Sequence, residues 1–246
     1  MQHPLSIFSY TFANEQHLNL VQLVHLALQV SNFHDQAVQK LLTKPLLTEN
    51  QTWVVTQYHI DVLQKAPTHG DVTIQTQVTE ANRFFVTRQF DLHINHQHTH
   101  TIIAQFVALD FSTRKMVRFP IDELQSLHLI TGTATKFKAI HAIETPTETY
   151  VTAQHIQAAD IDSNHHVNNL VYLNWCVQCL PPKWIETYDM TQLQIKYGSE
   201  LTEDHTVAIH TFLQQEEKNG ETYQVIRNES LEKDACYVNM TWKMKE

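Results

Sequence analysis

The predicted elements of this chain occur in the same order twice. In the first half, the segment from Leu18 to about Gln39 is strongly apolar and lacks proline and glycine. It therefore predicts a helix that is buried on nearly all sides. Four segments rich in β-branched and aromatic residues follow and predict strands: Trp53–Leu63, Val72–Val78, Phe84–Ile94 and Thr101–Asp110.

From Thr149 the same order restarts. A strand is followed by a predicted helix from about Val167 to Leu180, which Pro181 and Pro182 terminate. Four further strands are predicted near Leu193–Tyr197, Thr206–Gln214, Thr222–Ser230 and Cys236–Met244. The simplest arrangement for each half is α+β, with a curled antiparallel sheet that wraps one helix.

Alignment of the two halves at fixed offsets supports an internal repeat. An offset of 149 places Leu18 on Val167, and an offset of 135 places Ile60 on Ile195. The join falls between Phe111 and about Pro146, so we predict two domains, over 1–134 and 147–246. Only the second domain is predicted to be catalytic, because three of its polar residues align with unrelated residues of the first. Asp162 aligns with Ala13, Asn164 with Glu15 and Glu200 with Lys65.

The composition restricts the class of partner and the compartment. The chain has 246 residues, with 17 Lys and Arg against 26 Asp and Glu, and its net charge of −9 opposes non-specific binding to nucleic acid or membranes. The apolar runs are too short to span a membrane, and residues 1–5 lack the pattern of a secretory signal. With only three cysteines, these features predict a cytoplasmic protein without a disulfide framework.

A dense group of polar residues precedes the second helix. The segment 160–169 reads Asp-Ile-Asp-Ser-Asn-His-His-Val-Asn-Asn, which exceeds what helix capping requires, although Ser163 alone is best interpreted as a cap. A helix N-terminus offers unpaired amides that can stabilise an oxyanion. Its positive partial charge also favours a neutral imidazole, which can act as a general base. We therefore expect the chemistry to lie at His166 and its neighbours.

This segment resembles the signature of the acyl-acyl-carrier-protein thioesterases of plants and bacteria. The family shows Asp-x-Asp-x-Asn-x-His-Val-Asn-Asn followed by an apolar helix with Tyr and Trp, and the similarity here spans residues 160–175. Residues 197–201, Tyr-Gly-Ser-Glu-Leu, are similar to the family's Tyr-x-x-Glu-Cys strand end. Residues 113–120, Thr-Arg-Lys-Met-Val-Arg-Phe-Pro, resemble the segment that closes its first repeat. The resemblance extends over roughly residues 5–245.

The resemblance implies a tandem hotdog fold, in which two curled antiparallel sheets each wrap a long central helix. It also implies hydrolysis of fatty acyl thioesters of acyl-carrier protein, with no cofactor and no metal. Catalytic roles are carried over to Asp162, Asn164, His166 and Glu200, with Asp162 fixing either the histidine tautomer or the loop. One departure excludes a cysteine nucleophile at the strand end, because Leu201 occupies that position.

The mechanism expected from these residues uses water as the nucleophile. Glu200 and His166 would orient and deprotonate a water molecule that attacks the thioester carbonyl. Asn164 and the helix N-terminal amides of Val167 and Asn168 would hold the oxyanion. Direct attack by Glu200, which would form an acyl anhydride, is the alternative.

The same residues are compatible with other functions. Hydrolysis of acyl-CoA would use the same site, a hydratase or dehydratase would need a base at the acyl β-carbon, and a non-catalytic acyl-binding module would need no titratable set. The sequence determines neither the preferred acyl length nor whether the chain is a monomer or a homodimer. Five basic residues are candidates for contact with an acidic carrier protein, although most of them are interpreted as solvated surface. They are Arg83, Arg88, Arg114, Lys115 and Arg118.

Two further groups are interpreted as structural. Cys176 and Cys179 are spaced as in a redox pair or half a zinc site, but the sequence has no second pair, so they predict buried helical thiols. Four histidines surround Asn95, and their spacing indicates a solvated hairpin rather than a metal site. These are His93, His96, His98 and His100.

Overall fold

The chain divides into two compact units. A computed structural model describes residues 3–132, 137–162 and 164–246, and the units are Met1–Phe137 and Lys138–Glu246. Their boundary lies within the segment from which the sequence predicts the join.

The first unit is an antiparallel sheet with one long helix. Its strands pair in the order β1-β3-β4-β5-β2, so neighbours in the sheet are connected by hairpins except at β1 and β2. The sequence predicts four of the five strands and misses the first, which precedes the helix. In chain order the elements are β1 (Ile7–Glu15), α1 (Leu20–Gln39), β2 (Gln51–Val62), β3 (Gly70–Ala81), β4 (Phe85–Ile94), β5 (Gln97–Asp110) and α2 (Ile121–Ser126).

Helix α1 packs one broad face into the core. The side chain of Asn19 caps its start by accepting a hydrogen bond from the backbone N–H of Gln22, at 2.9 Å. The prediction of burial on nearly all sides is wrong, because His25, Asn32 and Gln36 are exposed. Their spacing of seven and four residues places them in one stripe along the helix, which the sheet leaves open to solvent.

The histidines around Asn95 lie at the hairpin that connects β4 and β5. Asn95 and His96 have φ values of 49° and 68°, as a two-residue type I′ turn requires. The rings of His93 and His98 stack with centroids 4.7 Å apart. The hairpin is therefore present, but the prediction that it is solvated fails at His100, which is 5% exposed. Within the described ranges, no three or more side chains are grouped as a metal site requires.

A buried polar cluster links α1 to β4. Arg88, which is 4% exposed, donates from Nη2 to Asp35 Oδ1 at 2.5 Å and from Nη1 to His34 Nδ1 at 2.7 Å. His34 in turn donates from Nε2 to the carbonyl of Leu5 at 2.7 Å, which fixes it as a neutral tautomer. Arg88 cannot contact a carrier protein, so the prediction is wrong for this residue: its charge neutralises a buried carboxylate instead.

The second unit repeats the topology of the first. Its strands pair in the order β6-β8-β9-β10-β7, which is the order of the first unit with its strands renumbered. In both units the main helix follows the first strand. The elements are β6 (Glu148–Gln154), α3 (Asn169–Gln178), α4 (Pro182–Thr187), β7 (Tyr188–Tyr197), β8 (Val207–Gln215), β9 (Asn219–Asn228) and β10 (Lys233–Met244).

The main helix of the second unit is shorter than predicted. It begins at Asn169 and ends at Gln178, and the two prolines at 181 and 182 begin the short helix α4 instead of only terminating α3. Its inner face is anchored by Gln224, which donates to the carbonyl of Cys176 at 3.0 Å.

No helix in the described ranges combines the length and the apolar character that crossing a bilayer would require.

The buried histidines predict a loss of stability in mild acid. Burial lowers the pKa of His34 to about 3 and that of His100 to about 4, whereas an unfolded histidine titrates near 6.5. Below pH 6.5 the unfolded chain therefore binds protons that the folded chain excludes. Each histidine should cost about 2 kcal/mol between pH 7 and pH 5. Urea unfolding at the two pH values should show this loss reduced in His34→Gln and His100→Gln.

The matched control for that experiment is His25→Gln, which removes an exposed histidine from α1, the helix that carries His34. Its stability should depend on pH as strongly as that of the unmodified chain. An equal pH dependence in all four proteins would contradict the assignment of the buried histidines as neutral.

Candidate active site

The polar segment that precedes α3 folds into a tight loop. Ile161 and Val167 form an antiparallel β-bridge, and the backbone N–H of Asp162 donates to the carbonyl of His166 at 2.9 Å. His165 closes the turn with a φ of 62°. Ser163, which the sequence suggested as a helix cap, lies outside the described residues.

The carboxylate of Asp162 holds this loop together. Its Oδ1 accepts hydrogen bonds from the backbone N–H groups of Asn164, at 2.7 Å, and of His166, at 3.5 Å. Its Oδ2 accepts from the side-chain Nδ2 of Asn164 at 3.4 Å. The described contacts of Asp162 are thus with the loop and not with the imidazole, which favours the second of the two roles expected for it.

The end of β7 brings Glu200 to this loop. After the strand, the N–H of Gly198 donates to the carbonyl of Ala235 at 2.8 Å, and any Cβ at Gly198 would lie 2.8 Å from the carbonyl oxygen of Asp234. Only glycine permits this approach without displacing the backbone. The chain then turns so that the carbonyl of Leu201 accepts a hydrogen bond from the N–H of Val167 at 2.9 Å.

The imidazole and the carboxylate expected to act together lie side by side. His166 Nε2 is 3.1 Å from Glu200 Oε2, which is within hydrogen-bonding distance. Their side chains are 25% and 47% exposed, so a small molecule can reach both. This is the geometry of a general base and its orienting partner.

The predicted oxyanion donors are wrong at two positions. The N–H of Val167 already donates to Leu201, and the N–H of Asn168 donates to the carbonyl of Asp160 at 2.9 Å. The reason is that the helix begins two residues later than predicted, with Asn168 as its cap, accepting from the N–H of Leu170 at 2.9 Å. Among the described residues, the N–H of Asn169, at the first helical position, donates to no other group.

Two tyrosines that the sequence analysis did not select support the site. Tyr172 of α3 is 3% exposed, and burial raises the pKa of its hydroxyl. Its ring packs edge-on against Tyr197, with centroids 5.6 Å apart, and Tyr197 donates to the carbonyl of Asn169 at 2.9 Å. Aromatic residues on apolar helices and strands are ordinarily core residues, so the sequence offered no signal for either tyrosine.

The first unit has the same backbone arrangement but lacks a residue equivalent to the glutamate. There the N–H of Leu18 donates to the carbonyl of Thr68 at 2.8 Å, as the N–H of Val167 does to Leu201. By this equivalence the counterpart of Glu200 is Pro67, and the fixed offset that paired it with Lys65 is wrong by two residues. The error arises because the loop after the equivalent strand differs in length between the units.

The thiols of the second unit are poorly suited to act as nucleophiles. Cys176 and Cys236 are fully buried, Cys179 is half-buried, and none forms a disulfide. Burial raises the pKa of each thiol, which disfavours the reactive thiolate. The prediction of buried helical thiols is therefore confirmed for Cys176.

Comparison with known proteins identifies the family of this chain. The family model of the acyl-ACP thioesterase N-terminal domain matches residues 2–127, and that of the C-terminal domain matches residues 143–244. The chain belongs to the acyl-ACP thioesterase family. In this acyl-ACP thioesterase family member, the four polar residues lie in the part that matches the C-terminal domain.

Curated relatives and solved structures show the same similarity. Oleoyl-acyl carrier protein thioesterase 1 of Arabidopsis thaliana is 24% identical over 169 residues, which cover 63% of this chain and 46% of the relative. The chain thus spans about half the length of the curated relatives it matches.

Two solved structures establish the hotdog fold. The 12:0-ACP thioesterase of Umbellularia californica superposes with a TM-score of 0.80 at 18% identity, over 97% of this chain and 94% of that chain. An acyl-ACP thioesterase of Bacteroides thetaiotaomicron superposes with a TM-score of 0.74 at 18% identity, over 99% of this chain and 100% of that one.

The loop geometry predicts a graded effect of substitution at Asp162. Asp162→Ala removes the acceptor for two backbone N–H groups and should lower the free energy of unfolding by about 1 kcal/mol. Asp162→Asn retains one oxygen and should lose less. Chemical denaturation measures both, with Asp204→Ala, an exposed residue of the same unit, as the control. Equal stability of all three variants would show that the carboxylate does not order the loop.

Proposed function

We propose that this protein hydrolyses fatty acyl thioesters of acyl-carrier protein, and that its two units are hotdog repeats in tandem. The observation that carries the proposal is the 3.1 Å contact between His166 and Glu200 beside the start of α3. The family membership and the shared strand order of the two units support it.

The chemistry follows from the state of this pair. A neutral His166 that donates from Nε2 holds Glu200 as a carboxylate in one orientation. The carboxylate can then accept a proton from water while the water oxygen attacks the thioester carbonyl. The acyl carbon–sulfur bond breaks as the tetrahedral intermediate collapses, the thiolate of the carrier leaves with a proton, and the free fatty acid remains. Water is the only co-substrate, so the reaction needs neither metal nor organic cofactor.

The oxyanion needs donors that are still unpaired when substrate arrives. The backbone N–H of Asn169 lies at the positive end of α3, and the side-chain amide of Asn164 makes only a long contact of 3.4 Å. These two groups are the proposed oxyanion donors. The amides of Val167 and Asn168 are not, because each already donates to a backbone carbonyl.

Direct attack by Glu200 is the second mechanism on the same residues. Its side chain is 47% exposed, so a thioester could approach the carboxylate itself. This route would form an acyl anhydride, which hydroxylamine would convert to a hydroxamate on the enzyme. The water route forms no such adduct.

The first unit contains a small apolar cavity. A small cavity between α1 and the sheet is lined mainly by apolar side chains, including Val38, Trp53 and Val86, and is bounded by the Arg88 cluster. Its volume is about 20 Å³, so an acyl chain would fit only if the side chains around the cavity moved apart. We propose that this unit shapes the acyl pocket while the second unit supplies the catalytic groups.

An exposed basic patch on the first unit fits an acidic carrier. The guanidinium groups of Arg83 and Arg118 both lie over the ring of Phe84, at 5.2 Å and 6.0 Å from its centroid. Among the described residues neither forms an ion pair with a carboxylate, and Lys115 and Met116 beside Arg118 are also exposed. The chain as a whole carries a net charge of −9, so attraction of an acidic partner would depend on the local complementarity of this patch.

Substitution of either member of the pair tests the proposed function. His166→Asn and Glu200→Gln should each lower turnover about 10²- to 10⁴-fold, because general base catalysis is lost. Thiol release from acyl-carrier-protein and acyl-CoA substrates of several chain lengths measures this and also determines the preferred carrier and length.

The controls for this test lie beside the two residues. His165→Asn keeps a residue suited to the φ of 62°, and Glu203→Gln removes a nearby exposed carboxylate. Both should retain turnover. Hydrolysis by Glu200→Gln at the rate of the unmodified protein would contradict the proposal, as would the absence of hydrolysis with any acyl thioester.

Charge reversal in the basic patch tests the choice of carrier. Arg83→Glu with Arg118→Glu should raise KM for acyl-carrier protein about tenfold at low salt and less at high salt, because exposed charges are screened. Lys65→Glu, an exposed basic residue of the same unit, is the matched control. An unchanged KM would show that the carrier docks elsewhere. KM for an uncharged acyl thioester should not change.

A further inference from the structure

We propose that Ser199 is a positioning residue, which sets the orientation of Glu200 through a hydrogen bond to a bulge in β10. The proposal rests on the proposed function, since it concerns the same carboxylate. Ser199 takes no part in the expected chemistry and acts through the backbone of the residue that follows it.

Strand β10 contains an extra residue beside the strand end that precedes Glu200. Asp234 pairs with Arg227 of β9 and Cys236 pairs with Ile226, so Ala235 is left over as a β-bulge. Bulges of this kind bend the strand locally, and next to active sites they change the direction in which a side chain points. The position of this bulge therefore suggests a role in the site.

The bulge presents two successive carbonyls to the end of β7. The carbonyl of Ala235 accepts a hydrogen bond from the N–H of Gly198 at 2.8 Å. The carbonyl of Asp234 accepts from Ser199 twice, from its backbone N–H at 3.3 Å and from its hydroxyl Oγ at 3.0 Å. Because the backbone bond is longer than usual, the hydroxyl makes the closer contact between Ser199 and the bulge.

The carboxylate of Asp234 holds the bulge in place. Its Oδ1 accepts from Nη1 of Arg227 at 3.0 Å, and its Oδ2 accepts from the hydroxyl of Tyr237 at 2.8 Å. These two bonds tie the bulged residue to β9 and to its own strand, where the regular pairing is interrupted. The carbonyl that receives Ser199 is therefore fixed relative to the sheet.

Glu200 is thus anchored through both of its neighbours in sequence. Ser199 is tied to β10, and the carbonyl of Leu201 accepts from the N–H of Val167 at 2.9 Å. The two anchors belong to different elements, so the loss of either one lets the backbone at Glu200 move relative to His166. A misplacement of about 1 Å can slow a reaction about a hundredfold, so a hydroxyl that never meets the substrate can affect the rate.

The test compares hydroxyl substitutions at the two ends of β7. Ser199→Ala keeps the backbone bond and should lower kcat about three- to tenfold, with KM within about twofold, because the carboxylate is less well oriented. Ser199→Thr keeps a hydroxyl and should restore most of the rate. Thr191→Ala is the matched control, since the Thr191 hydroxyl also donates to a β10 carbonyl, that of Thr241 at 3.1 Å, but near the start of β7. It should retain the kcat of the unmodified enzyme.

A measurement independent of turnover reports the orientation of Glu200 directly. In ¹⁵N-histidine-labelled protein, the ring-nitrogen resonance of His166, assigned by its loss in His166→Asn, is sensitive to the contact with Glu200. Ser199→Ala should shift that resonance in the same direction as Glu200→Gln does, and Thr191→Ala should not. Tyr237→Phe, which loosens the bulge without changing Ser199, should also shift it in this direction and serves if Ser199→Ala folds poorly.

The outcomes separate this proposal from the proposed function. If Ser199→Ala matches Thr191→Ala in kcat and in the His166 resonance, the positioning role is overturned. A fall in kcat without a shift of that resonance overturns it as well, because the hydroxyl would then act elsewhere. If the unmodified protein hydrolyses no acyl thioester, the proposed function fails, and the resonance alone still decides the role of Ser199.

Discussion

The hydrogen bond from the N–H of Val167 to the carbonyl of Leu201 is the constraint on which the site depends. It joins the loop before α3 to the turn after β7, and so brings a histidine and a glutamate that are 34 residues apart in sequence to 3.1 Å. The loop carboxylate of Asp162 and the glycine at 198 make this junction possible from either side. The chemistry we propose needs this fixed separation more than it needs any single strong interaction.

The two units show how one fold accommodates a scaffold and a catalytic site. Both place a main helix after the first strand, order their strands identically and join the residue before the helix to a strand-end carbonyl. In the first unit, however, Pro67 occupies the place of Glu200, and the buried charges are those of Arg88 and Asp35, packed against α1. A histidine alone, such as His17, has no neighbouring carboxylate to orient as the base.

Much of the fold and the identity of the site could be predicted from the sequence, because periodicity and the dense polar segment are local signals. Such signals, or the family resemblance, predicted the strands over residues 51–110 and the start of α1 to within two residues. They also predicted the pairing of Glu200 with His166. What could not be predicted depends on tertiary contact. The amides of Val167 and Asn168 donate to carbonyls that are distant in sequence or just outside the helix, and the charge of Arg88 is neutralised by the carboxylate of Asp35.

The most direct test of the claim that Glu200 and His166 act as one unit is a double-mutant cycle on kcat. Glu200→Gln, His166→Asn and the double variant would be measured on the same acyl-carrier-protein substrate at saturating concentration. If the two groups act only together, the double variant should be no slower than the slower single variant, because the first substitution already abolishes the shared function. Losses that multiply in the double variant would show that the two side chains act independently, and would contradict the site described for this protein.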